Sequence, residues 1–199
     1  RRFRATLAQV DIIRLDHFRG FAGYYEIPAG DSTARNGRWM PALGAELFAT
    51  MKQSLGELPI IAEDLGLITE DVVAIRDGNG FPGMKILQFA FSGPDNDFLP
   101  HHYLPNCVVY TGVHDNDTTR GWFLGGEADE GSKRYLTEYV GHDIQEPHWD
   151  MIRLGMMSVA NTFVMPLQDV FGFGEDTRMN TPGKESGNWG WRVGAEWFE

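Results

Sequence analysis

Only one cysteine occurs in the 199 residues, so an internal disulfide is excluded. Cys107 lies in the apolar run Cys107-Val108-Val109-Tyr110 and reads as a packing residue rather than a nucleophile. A single thiol suits a reducing compartment, and a cytoplasmic location is expected. The chain opens Arg-Arg-Phe-Arg with no apolar leader behind it. No stretch approaches the roughly 20 apolar residues of a membrane span. Basic residues are scarce too: 17 Lys and Arg against 28 Asp and Glu leave a formal charge of −11 and a pI near 4.9. That balance argues against a nucleic-acid partner, which would need clustered Lys and Arg, and against an anionic membrane surface. A neutral or cationic substrate remains compatible.

Low-complexity tracts, internal repeats and linkers are also lacking, so residues 1–199 are read as a single domain portion. What is present is 42% hydrophobic and 13% aromatic residues, enough for an ordinary globular core. Apolar strands alternate with helical stretches. Asp11 to Asp16, Pro59 to Ala62, Gly83 to Phe91, Cys107 to Val113 and Thr162 to Leu167 read as strands. Pro41 to Leu55 reads as a helix, with Leu43, Leu47, Met51 and Leu55 four apart and Gly56 as its stop. Thr69 is placed as the N-cap of a second helix, with Glu70 and Asp71 in its first turn and Arg76 near its end. Further helices are expected at about 117–124, at 132–140 and from His148 to Ala160, with a loop-like tail from Gly172. The acidic run Glu127 to Glu130 reads as a solvated helix start.

Strands that are apolar throughout and separated by helices imply a parallel sheet covered on both faces. A doubly wound sheet and a (β/α)₈ barrel both fit. No G-x-G-x-x-G follows any strand, whereas polar residues gather at the C-terminal ends of several strands, where barrel enzymes keep their chemistry. The expected fold is therefore an α/β (β/α)₈ TIM barrel, incomplete. Five strands cannot close it, and a whole barrel needs about 250 residues.

Three of these strand ends carry carboxylates: Asp16, Glu63 and Asp115. Retaining glycoside chemistry uses one carboxylate as nucleophile and one carboxylic acid as proton donor, about 5–5.5 Å apart. Arg14, two residues before Asp16, shares its face of the strand and supplies a positive charge that keeps a nucleophile ionised. The acid role requires Glu63 to hold its proton. A lone acidic residue at a strand end is more often a cap or a surface charge, and the bare pattern leaves both readings open.

The residues around these positions carry a resemblance. Ile-Arg-Leu-Asp-His-Phe-Arg-Gly-Phe, Ile-Ala-Glu-Asp-Leu-Gly, Phe-Pro-Gly-Met-Lys-Ile-Leu-Gln-Phe-Ala-Phe and Tyr-Thr-Gly-Val-His-Asp-Asn-Asp-Thr-Thr closely resemble the 4-α-glucanotransferase (amylomaltase, disproportionating enzyme) family of the α-amylase clan. Arg-Met-Asn-Thr-Pro-Gly and Gly-Asn-Trp-Gly-Trp-Arg are similar to its closing segment, and the likeness runs from about residue 5 to residue 192. The resemblance implies that Asp16 is the nucleophile and Glu63 the general acid/base, with Asp115 as the third, transition-state-stabilising carboxylate. It implies that Arg14 and His114 bind substrate, and that Asn180 lies on a loop bordering the acceptor. It implies α-1,4-glucan and maltooligosaccharide substrates and no metal or organic cofactor. It also implies that the family's N-terminal barrel strands, a missing half of the same protein, lie outside this chain. An α-amylase-type hydrolase and an inactive glucan-binding fragment are the alternatives.

Tyr24, Tyr25, Trp39, Trp122, Trp189 and Trp191 are candidates for stacking on sugar faces, although packing roles are the commoner use of such rings. His101-His102 is read as an extended loop segment with the two rings pointing apart. Asp115 and Asp117 alternate with asparagine as in an EF-hand, but the loop's Gly and closing Glu are lacking. Asp117 is instead assigned as the cap of a helix starting at Thr118.

Overall fold

The computed structural model describes residues 1–198. It is a mixed α/β chain that divides into two compact units, Arg1–Met84 and the residues from Lys85 onward. The first unit contains helix α1 (Arg2–Leu7), strands β1 (Ile13–Leu15), β2 (Gly23–Glu26) and β3 (Arg38–Pro41), helix α2 (Gly44–Leu55), strand β4 (Ile60–Ala62) and helix α3 (Glu70–Gly78). β1 and β4 pair in parallel, with Ile13, Arg14 and Leu15 opposite Ile60, Ile61 and Ala62. Their core is aromatic: Phe18 stacks on Phe48 at 5.6 Å, and Phe81 packs edge-on against Phe48 at 5.2 Å.

β2 and β3 form an antiparallel hairpin that the sequence reading left undivided. Its strands are short, and Tyr24, Tyr25 and Trp39 on it are exposed, so no buried period-2 pattern announces it. Pro41, expected to open a helix, ends β3 instead, and α2 begins at Gly44. Gly44 packs against the chain at Phe21, where a Cβ would lie 2.2 Å from the Phe21 carbonyl oxygen.

Strand β5 (Gly83–Ile86) leads into the second unit, which holds β6 (Cys107–Tyr110), α4 (Thr119–Gly125), α5 (Glu130–Val140), α6 (Pro147–Met157), β7 (Thr162–Val164) and α7 (Leu167–Phe171). The strand order is β5-β6-β7, with β6 and β7 parallel. Leu87, Phe91, Leu99, Val109, Trp122, Leu136 and Met151 are buried in one cluster, which gives Trp122 a packing role. The third expected strand stops at Ile86 rather than Phe91, and Leu87–Phe89 form a 3-10 turn. That turn places the buried Gln88 where its Nε2 donates to the Asp117 carbonyl at 2.9 Å. The fifth stops at Val164, and Pro166 caps the unexpected α7.

Two caps differ from expectation. Thr118, not Asp117, is the N-cap of α4, its hydroxyl accepting from the Gly121 N–H at 3.0 Å. Thr69 does precede α3, but its hydroxyl donates to Asp71 and caps no backbone N–H. His101 and His102 sit on a 3-10 turn with ring centroids 4.2 Å apart, so they do not diverge as an extended segment would. No helix among the described residues is long and apolar enough to cross a membrane.

Candidate active site

In the first unit the register of β1 and β4 decides the geometry. Because Leu15 lies opposite Ala62, the next residues, Asp16 and Glu63, stand level at the C-terminal ends of adjacent parallel strands. Neighbouring strands lie about 4.8 Å apart, so two such positions are one strand spacing from each other. Asp16 is exposed, and Arg14 reaches it with Nη1 3.0 Å from Oδ1. The backbone locks the pair of strand ends: the Glu63 N–H donates to the Leu15 carbonyl at 2.9 Å and the Phe18 N–H to the Glu63 carbonyl at 3.0 Å.

Glu63 is held by its side chain as well. Its Oε2 accepts the His17 N–H at 2.6 Å and its Oε1 the Leu65 N–H at 2.9 Å. His17 delivers that N–H from a left-handed conformation, φ 49° and ψ 54°, which only a minority of non-glycine residues adopt. The adjacent Asp64 does different work. It is buried, pairs with Arg76, and accepts the Met84 N–H at 2.7 Å, so it is a structural carboxylate.

The second unit builds its own cluster after β6. Asp115 Oδ1 accepts from Asn180 Nδ2 at 2.6 Å and lies 3.4 Å from His114 Nε2. The Asn180 N–H donates to the His114 carbonyl at 3.1 Å, so the 178–192 segment is strapped to the Asp115 loop through both backbone and side chain. Arg178 ties the strap: it donates to the Asn180 carbonyl at 2.9 Å, to the Asp115 carbonyl at 2.7 Å and to Glu127 Oε1 at 2.5 Å. Trp189 lies against the His114 ring at 5.3 Å with φ 64°. Arg192 donates to the Trp189 carbonyl at 3.0 Å and holds that turn. Below them a cavity of about 170 Å³ is lined by His114, Asn116, Asp117, Arg178 and neighbours. Burial pushes the Asp117 carboxyl above the usual carboxylate range, against the pull of the Thr118 N–H and of Arg178.

Residues 1–196 match the family described as 4-alpha-glucanotransferase. The chain belongs to that family. A 4-alpha-glucanotransferase from Synechocystis is 53% identical over 96% of this chain and 38% of its own length, and one from Thermus thermophilus is 48% identical over 97% and 40%. Among solved structures, an amylomaltase from Streptococcus agalactiae in complex with acarbose superposes with a TM-score of 0.90 at 40% identity, over 98% of this chain and 40% of that one. The family chain thus spans about 40% of the length of these relatives.

Arg14, Asp16 and Glu63 are brought together in the first unit, and His114, Asp115 and Asn180 in the second. Two contributors, Arg178 and His17, were not singled out from the sequence, and Trp189 was singled out only as a candidate stacking ring. Arg178 stands two residues before Asn180, as Arg14 stands before Asp16, and that repeated spacing was an available signal. The left-handed backbones of His17 and Trp189 have no signature in composition. Among the described residues no group of three or more His, Cys, Asp or Glu is arranged to hold a metal ion.

Proposed function

We propose that this chain is the C-terminal portion of the catalytic (β/α)₈ barrel of a 4-α-glucanotransferase, acting in the cytoplasm on α-1,4-glucans and maltooligosaccharides together with the N-terminal part of the same protein. The observation that carries the proposal is the level placement of Asp16 and Glu63 on paired parallel strands. Level positions on neighbouring parallel strands present both side chains at one strand end, and retaining chemistry needs a pair of carboxyl groups on one site.

In the first step an Asp16 oxygen bonds to the anomeric carbon as the bond to the departing 4-oxygen breaks, and Glu63 gives its proton to that oxygen. Arg14 holds a guanidinium nitrogen 3.0 Å from the attacking carboxylate. Each Glu63 oxygen has a second lone pair beyond its N–H contact, so a proton can sit there with both contacts kept. In the second step Glu63 takes the proton of an acceptor 4-hydroxyl, whose oxygen displaces Asp16 and restores an α-1,4 bond. Asp115, aligned by Asn180 and His114, is suited to grip sugar hydroxyls and to stabilise the positive charge that develops on the ring.

The test is product analysis with maltotriose, using this chain fused to the N-terminal part of the Synechocystis relative, beside Asp16→Asn. Glucose plus a ladder of longer maltooligosaccharides, reduced at least about 10³-fold in the variant, is the expected result. Glucose and maltose without a ladder would mean hydrolysis instead, and an undiminished ladder in the variant would remove Asp16 from its role.

A further inference from the structure

Asp169, on the short helix α7, is only 1% exposed, and its three hydrogen-bond partners are all neutral donors. Its Oδ2 accepts the hydroxyls of Thr111 at 2.5 Å and Thr119 at 2.8 Å, and its Oδ1 accepts the Thr119 N–H at 2.7 Å. Both threonines are wholly buried. A buried carboxyl group is costly unless its oxygens are hydrogen-bonded, and here both are.

The three contacts join the two ends of one segment. Thr111 is the residue after β6, and Thr119 is the first of α4. Asp115 stands midway, four residues from each, with His114 beside it. One carboxyl group therefore closes both ends of the segment that carries Asp115. The middle is held separately: Gln88 donates to the Asp117 carbonyl at 2.9 Å, and Asn116 Oδ1 accepts the Val113 N–H at 2.9 Å. Asp169 comes within reach because β7 pairs in parallel with β6, Val164 opposite Tyr110, and α7 follows directly. The apolar cluster already joins β6, α4 and α6 through Val109, Trp122 and Met151. Apolar contact is non-directional, so it does not set the course of a turn; the bonds to Asp169 do.

We infer that Asp169 is a positioning residue for Asp115, fixing the span from Thr111 to Thr119 and with it the carboxylate that stabilises developing charge on the sugar. The inference rests on the role given to Asp115 in glucan transfer. A group so deeply buried does not meet the sugar, so its effect on the reaction runs through Asp115.

The experiment follows fluoride release from α-maltotriosyl fluoride by the fused enzyme. Asp169→Ala is expected to lower kcat about 10²-fold and to leave KM within about threefold of the parent. Asp169→Asn can keep all three contacts, its carbonyl on the Thr119 N–H and its amide donating to hydroxyls turned to accept. Its kcat is expected to stay within about tenfold of the parent. In an Asp115→Asn background a residue acting through Asp115 has nothing left to place, and Asp169→Ala is expected to cost less than about threefold more. Should Asp169→Ala fail to fold, Thr111→Val and Thr119→Val, each losing one hydroxyl contact and about fivefold in kcat, carry the same test. An unchanged kcat in every soluble variant overturns the inference. So does an equal loss with and without the Asp115 carboxylate, which marks a residue that only holds the fold. Absence of transfer from maltotriose by the parent enzyme would instead remove the role given to Asp115, and this inference with it.

Discussion

Arg178 satisfies three acceptors on three segments: the Asp115 carbonyl, the Asn180 carbonyl and the Glu127 carboxylate. No other cation matches that fork geometry, because a lysine ammonium is a compact point charge on a flexible stem. Arg178→Lys is therefore expected to lower transfer by about 10²-fold through misplacement of Asp115, with little change in melting temperature. Turnover and thermal unfolding of the fused enzyme measure the two effects separately. At His148 the matter is protonation. Burial pushes this imidazole below its ordinary value of 6.5, and Arg120 adds to that, while Glu146, Asp169 and Asp150 oppose it. Its Nδ1 has no hydrogen-bond partner among the described residues. A lowered folded pKa means that the unfolded chain takes the proton first, so stability falls as pH drops below about 6.5. The urea midpoint of the fused enzyme is expected to fall between about pH 7.5 and about pH 5, and to fall less in His148→Phe.

Among the elements, the parallel strands were legible because each is an uninterrupted apolar run ending in charge: Ile60-Ile61-Ala62 before Glu63, Val108-Val109-Tyr110 before the His114-Asp115 turn. The same ends made Asp16, Glu63 and Asp115 candidates, although the bare pattern left a capping or surface role equally open. The hairpin was not legible, since Gly23–Glu26 and Arg38–Pro41 are half solvent-facing and bury no alternating stripe. Nor were the 3-10 turn after Ile86 and helix α7, whose causes are long-range: Gln88 reaching the Asp117 carbonyl, and Asp169 accepting from Thr111 and from both the N–H and hydroxyl of Thr119. The Phe18–Phe21 turn that precedes the hairpin meets the start of α2 in a close contact. With Gly44 pressed on the Phe21 carbonyl, Gly44→Ala must shift backbone and is expected to cost about 1–3 kcal/mol. An urea series on the fused enzyme would read that loss, and a midpoint equal to the parent's would contradict the contact.

At the scale of the molecule, β1 pairs with β4 alone and β7 with β6 alone among the described residues, leaving strand edges that favour further pairing. Leu43, Leu67, Leu104, Met156 and Met157 are each well exposed. With about 40% of the relatives' length in hand, the expectation is that the chain alone binds a hydrophobic dye, and that adding the N-terminal part in trans lowers the dye signal as maltotriose disproportionation appears. Mixing that changes neither signal would count against assembly from two parts.

Trp189 carries a consequence for anyone improving this protein. A bulky residue at φ 64° is strained, and glycine or asparagine would relieve that strain at no steric cost. Either would also remove the ring from His114. A library screened only for survival at high temperature should drift toward those replacements and come back sturdier and slower, while one screened for turnover should keep the tryptophan and its discomfort.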